Sequence, residues 1–113
     1  MHELSLAHSV VEILNEEARR HQLRSILGYR LEVGVLRAVV PELLCTCLGY
    51  ASKGTLAEHA EVLIDEVGGE ARCGACGMKF TIDDLLFLCP SCGQVGGEIL
   101  AGEELRIVEL EGE

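Results

Sequence analysis

Cys73-Gly74-Ala75-Cys76-Gly77 and Cys89-Pro90-Ser91-Cys92-Gly93 repeat one short pattern, with 12 residues between the two cysteine pairs. Two thiolates that share an ion across two intervening residues need a tight turn between them. Glycine after the second cysteine lets that turn reverse, with backbone N–H groups aimed at the sulfurs. Two such knuckles supply four soft ligands in a tetrahedral set, so Cys73, Cys76, Cys89 and Cys92 are the expected ligands of a closed structural zinc site.

Other uses of these cysteines are weaker. Disulfides suit secreted chains, but no signal-peptide pattern opens this one. Leu4–Leu14 carries Ser5, His8, Ser9 and Glu12, so it is neither an apolar leader nor a membrane span. A reducing, cytoplasmic address is therefore expected, which leaves metal binding or redox work. A thioredoxin-like motif would use one pair beside a βαβ unit, not two matched knuckles. Iron in the same four-thiolate cage remains open on spacing alone, and colour would reveal it.

The chain has 113 residues, enough for one compact domain or a small domain with a metal-held lobe. Hydrophobic residues make up 49%, yet there is no Trp and only Phe80, Phe87, Tyr29 and Tyr50 are aromatic, so the core must be aliphatic. The formal charge is −10. Four thiolates around one Zn²⁺ add a net −2, giving about −12 with zinc bound. A chain so acidic, with its nine Lys and Arg scattered, repels phosphate backbones, and nucleic-acid binding is not expected.

From Leu4 to about His21, apolar residues recur at 4, 7, 11, 14 and 18, widened by Leu6, Val10 and Ile13. That spacing predicts a helix with one broad buried face. Arg19, Arg20 and His21 crowd its last turn, where cations suit the helix dipole. Gly28 to Leu36 alternates, with Tyr29, Leu31, Val33 and Val35 on one side, and predicts a half-buried strand. Pro41-Glu42 opens a second helix that Lys53-Gly54 stops after about Ser52. Glu61 to Val67 and Leu105 to Leu110 predict further strands. Gly68-Gly69 and Gly96-Gly97 read as hinges on either side of the metal lobe, in which Phe80, Ile82, Leu85 and Phe87 form a small local core with the ion as its main staple.

The predicted class is α+β: a small mixed three-stranded sheet with two helices plus an inserted zinc-ribbon lobe. Residues 1–69, completed by a strand within 98–113, form one domain, and residues 70–97 the zinc-binding lobe. Cys45 and Cys47 match neither knuckle. Two apart on a helix, they point about 200° from one another, so both read as small hydrophobes of the helix core.

Met1-His2-Glu3 is the other place for chemistry. A free terminal amine, the amide nitrogen of residue 2 and its imidazole can wrap one cation in fused chelate rings. Ni(II) and Cu(II) favour such tetragonal N,O sets. His8, His21 and His59 carry less support, His59 as a strand-edge residue.

Together the opening Met1-His2-Glu3-Leu4-Ser5-Leu6, the Gly54-Thr55 after the second helix and the late double knuckle resemble the hydrogenase nickel-incorporation proteins, HypA/HybF, over the full chain. The resemblance implies a nickel metallochaperone, not an enzyme, that helps deliver Ni(II) into the large-subunit precursor of a [NiFe]-hydrogenase. It places nickel on His2, with the Met1 amine and Glu3 as accessory positions, and structural zinc on Cys73, Cys76, Cys89 and Cys92. It implies a partner GTPase, and for some relatives urease maturation proteins, but no nucleic acid or membrane. Cys45-Thr46-Cys47 departs from the family's pattern, where an aromatic would be less surprising. Two rivals stay open on the residues alone: a rubredoxin-like electron carrier and a zinc-ribbon interaction module that transports no metal.

Overall fold

The computed structural model describes residues 2–82 and 88–113, with His2 by its backbone only. In chain order the elements are α1 (His2–Arg20), β1 (Ile26–Gly34), a 3₁₀ turn (Val35–Arg37), α2 (Pro41–Ser52), β2 (Glu61–Val67), β3 (Gly69–Cys73), β4 (Lys79–Ile82), β5 (Gly97–Ala101) and β6 (Leu105–Gly112). They divide into two compact units. One holds residues 1–32, 39–65 and 106–113, the other residues 33–38 and 66–105.

In the first unit the sheet order is β2-β1-β6. Ser25 and Glu113 exchange both backbone hydrogen bonds, and Arg106 reaches Glu32, so β6 runs antiparallel to β1. Gly28 lies against Glu61 while Arg30 bonds Asp65, so β2 runs the same way as β1, with α2 as the crossover. The sheet is therefore mixed. Helix α1 buries Ala7, Val10, Val11, Leu14 and Ala18, α2 buries Leu44 and Leu48, and β1 buries Ile26, Tyr29 and Leu31, with the two helices packed on one another. Each large aliphatic side chain taken out of water here contributes about 1.5–3 kcal/mol.

The apolar stripe of α1 is narrower than its sequence implies. Leu4 and Ile13 stand 50% and 51% exposed, because the buried face centres on Leu14 and both lie on its borders. A polar residue does work the pattern did not signal. Buried Asn15 donates to the Val11 carbonyl and accepts from the Leu56 N–H, tying the turn after α2 to the middle of α1. β1 also ends sooner than expected, and Val35 enters the 3₁₀ turn and is exposed. His59 stands in the turn before β2 and not at a strand edge.

The second unit contains a sheet of its own, in the order β4-β3-β5, antiparallel throughout. Its core is Ala71, Cys73, Phe80, Ile82 and Cys89, with Leu36 against it. Phe80 and Ile82 are thus core residues, while Leu85 and Phe87 lie outside the described residues.

The glycines expected to be hinges are partly built into this sheet. Gly69 pairs with Ile82, and a Cβ on it would come within 2.9 Å of the Ile82 carbonyl oxygen. Gly97 pairs with Cys73 at φ 148°, and its missing side chain is what lets the Arg72 carbonyl approach. Among the described residues no helix is long and apolar enough to cross a membrane.

Candidate metal centre

β3 ends at Cys73, and the chain turns back at once. The Cys73 N–H donates to the Met78 carbonyl at 2.8 Å, and the Gly77 N–H donates to the Cys73 carbonyl at 3.0 Å. The second knuckle repeats this bond for bond: Cys89 N–H to the Gln94 carbonyl at 3.0 Å, and Gly93 N–H to the Cys89 carbonyl at 2.9 Å. Gly77 and Gly93 sit at φ 78° and 76°, the left-handed conformation that closes each turn and that glycine adopts without penalty. Met78 and Gln94 thus serve through their carbonyls at the same offset from the leading cysteine, a role side-chain identity does not announce.

The two turns bring together all four sulfurs that the spacing singles out. Their ligand atoms lie within 4.8 Å of one another. Cys73 Sγ is 3.5 Å from Cys92 Sγ, and Cys76 Sγ is 3.6 Å from Cys89 Sγ. Disulfide sulfurs stand about 2.05 Å apart, so neither contact is a covalent bridge. Four sulfurs each about 2.3 Å from a shared centre would be about 3.8 Å apart, close to these contacts. Cys73 and Cys89 are buried, whereas Cys76 and Cys92 are exposed. Each knuckle therefore offers one sulfur from the local core and one from the surface.

The backbone prepares the leading cysteines for ionisation. N–H groups of Cys76 and Ala75, at 3.5 and 3.3 Å from the Cys73 sulfur, pull its thiol down to about 6. Cys89 is lowered in the same way, first by the Cys92 N–H. At Cys92 the Gln94 N–H also favours the thiolate, but hydrogen bonding with the Cys73 sulfur, burial, and hydrogen bonds with the Cys76 and Cys89 sulfurs together outweigh it and push the group up to about 12. Four thiolates packed this closely cannot all carry charge alone. A soft cation at their centre removes the conflict, so the donor set fits a tetrahedral thiolate-bound metal such as zinc or iron.

At the other candidate position, His2 opens α1, and Met1 lies outside the described residues. Glu3 is buried at 8% exposure, and its Oε2 accepts from the Val40 N–H at 3.2 Å, just ahead of α2. That hydrogen bond is the main reason its carboxyl is held below the usual range. Amides in the first turn of a helix have no intrahelical acceptor. His8, His21 and His59 are exposed and separate, with His21 3.5 Å from Glu17. Cys45 is exposed and Cys47 half-buried, so neither is a core residue. Leu44 and Leu48 occupy the buried face, and one residue to either side turns about 100° away.

A model of the family described as hydrogenase/urease nickel incorporation, metallochaperone, HypA, matches residues 1–112. The chain belongs to the HypA family. A hydrogenase maturation factor HypA from Geobacter sulfurreducens is 44% identical over 111 residues, covering 98% of each chain. One from Chlorobaculum tepidum is 44% identical over 107 residues, or 95% of each. The fold is that of the HypA structures as well. The solution structure of the nickel metallochaperone HypA from Helicobacter pylori superposes with a TM-score of 0.75 at 24% identity, covering 99% of this chain and 97% of that one.

Proposed function

We propose that this HypA-family chain carries Ni(II) at residues 1–3 and holds Zn(II) in the cage of Cys73, Cys76, Cys89 and Cys92. The family match over residues 1–112 carries this reading, because it ties the chain to nickel incorporation in hydrogenase maturation. His2 supplies the imidazole and amide nitrogen, the Met1 amine closes the chelate, and Glu3 is accessory. The helix start favours that set. Amides there are not committed to the helical ladder, and the Glu3 carboxylate, anchored on Val40, fixes where the first turn begins.

Zinc in the cage has no open position for a substrate, so the metal there is structural and the chain acts as a carrier, not an enzyme. Functionally, residues 1–69 with the strand in 98–113 form the nickel domain, and residues 70–97 the zinc lobe. Release of nickel goes with a partner GTPase to the precursor of a [NiFe]-hydrogenase large subunit, or to urease maturation proteins. Reduced thiols in both knuckles suit a cytoplasmic setting.

Calorimetric titration of untagged, zinc-loaded protein with Ni(II) at pH 7.5, beside the His2→Ala variant, tests the assignment. About one nickel per chain, lost in the variant while zinc stays bound, is the expected result. Equal nickel binding by both proteins would make His2 a bystander and leave a zinc-ribbon interaction module as the better account.

A further inference from the structure

Strand β6 stands at the rim of the first unit's sheet, with β1 as its sheet neighbour among the described residues. An outer strand presents a row of backbone N–H and C=O groups that no neighbour takes up, a template for one more strand. Proteins commonly blunt such an edge with lysine or proline. Leu105–Gly112 contains neither, although it runs for eight residues. A groove of about 600 Å³ opens beside it, between β6 and α1. Its apolar lining is Ile13 of α1 with Leu23, Ile107 and Leu110. Exposed Val108 and Glu109 reach the same groove as half-buried Ile107 and Leu110, so it touches both sides of the strand and lies along its edge.

Charge indicates what fits this edge. Between Arg106 and Glu113 the chain carries three glutamates and one arginine, and that arginine is taken, its Nε 2.6 Å from Glu32. Glu109 and Glu111, two residues apart and both exposed, point to one face of the strand. Among the described residues no lysine or arginine pairs with either. Across the groove Glu17 is held by Arg20 at 3.2 Å and lies 3.5 Å from His21. The open charge is therefore on the strand, and it is negative. A second copy of β6 laid along this edge would set glutamates beside glutamates, which destabilises a strand pair. An extended segment with lysine or arginine at alternate positions meets the opposite case.

We propose that β6 and the groove beside it form a docking site for an extended, basic segment of a partner protein, which joins the sheet as a fourth strand. Backbone hydrogen bonds to β6 supply affinity, and Glu109 and Glu111 select lysine or arginine across the pair. Apolar side chains between those cations enter the groove against Ile107, Leu110 and Ile13. The groove lies far from the start of α1. At about 1.5 Å per residue, Glu17 is roughly 22 Å along that helix from His2. It also lies on the unit that contains none of Cys73, Cys76, Cys89 and Cys92. A segment held there recruits a partner while leaving residues 1–3 and the cage uncovered.

The test uses full-length, zinc-loaded, ¹⁵N-labelled protein and a capped six-residue peptide of alternating lysine and valine, with its glutamate–valine counterpart as control. On titration the amide resonances of residues 107–112 should shift, and hydrogen exchange in β6 should slow. Affinity should fall about fivefold or more between roughly 50 and 300 mM salt, because exposed charge pairs are screened. Glu109→Lys and Ile13→Ser should each weaken binding about threefold or more, with circular dichroism and zinc content unchanged. No binding up to about 5 mM lysine peptide would overturn the proposal. Equal binding of the glutamate peptide, or shifts confined to β2 at the other rim of the sheet, would overturn it too. So would a loss in Glu109→Lys with none in Ile13→Ser and no slowed exchange in β6, since charge alone would then account for the binding.

Discussion

The two candidate metal positions are built in opposite ways. The four cysteines sit on turns closed by matching backbone hydrogen bonds, with Cys73 at the end of a strand and Cys73 and Cys89 in a local core. His2 opens a helix, and the Glu3 carboxylate one residue on accepts from the Val40 N–H. A cage that must be dismantled to lose its ion suits a structural metal. A site made from the end of a chain can open without disturbing a core, which suits cargo that must be passed on.

That contrast makes separable predictions. Cys89→Ser should do the most damage, taking zinc from about one per chain to near none and collapsing amide protection across β3–β5. Amide protection of α1 and α2, together with nickel binding, should persist, as hydrogen exchange and metal analysis would show. His2→Ala should do the reverse, abolishing the nickel heat while leaving zinc and thermal stability unchanged. If either variant lost both metals, the two positions would not be independent.

Smaller changes refine the picture. Gly97→Ala should destabilise the second unit by roughly 2–4 kcal/mol, because a Cβ there runs into the Arg72 carbonyl and φ is 148°. Denaturant unfolding followed by zinc release would measure it. Acid should empty the cage from the thiol side. All four sulfurs must be thiolates to hold the ion, so protons compete with the metal for them, and zinc release into a chromogenic chelator should increase as the pH is lowered. Cys45→Ser, at an exposed position, should shift stability by no more than about 0.5 kcal/mol.

Much of this was legible in the residues. The limits of α2 and β2 follow from Pro41, Lys53-Gly54 and a run of aliphatics, and the cage follows from cysteine spacing. The second sheet was not visible, and β3 shows why. Its inward residues are Gly69, Ala71 and Cys73, too small to register as an apolar alternation, although Phe80 and Ile82 pack over them. The same smallness made Gly69 and Gly97 look like hinges, when their missing side chains admit neighbouring backbone. On α2, composition alone could not separate the buried side from the exposed one. Leucine occurs on both, and only the packing of Leu44 and Leu48 leaves Leu43, Cys45 and Tyr50 outside.

Metal exchange measured on one doubly loaded sample tests the contrast most directly. Protein carrying zinc and ⁶³Ni would be challenged at pH 7.5 with excess free histidine, and both metals counted in the retained protein over time. Nickel should leave within minutes while zinc remains for hours. Simultaneous loss of the two metals, or zinc leaving first, would contradict the account of a fixed structural cage beside a yielding cargo site.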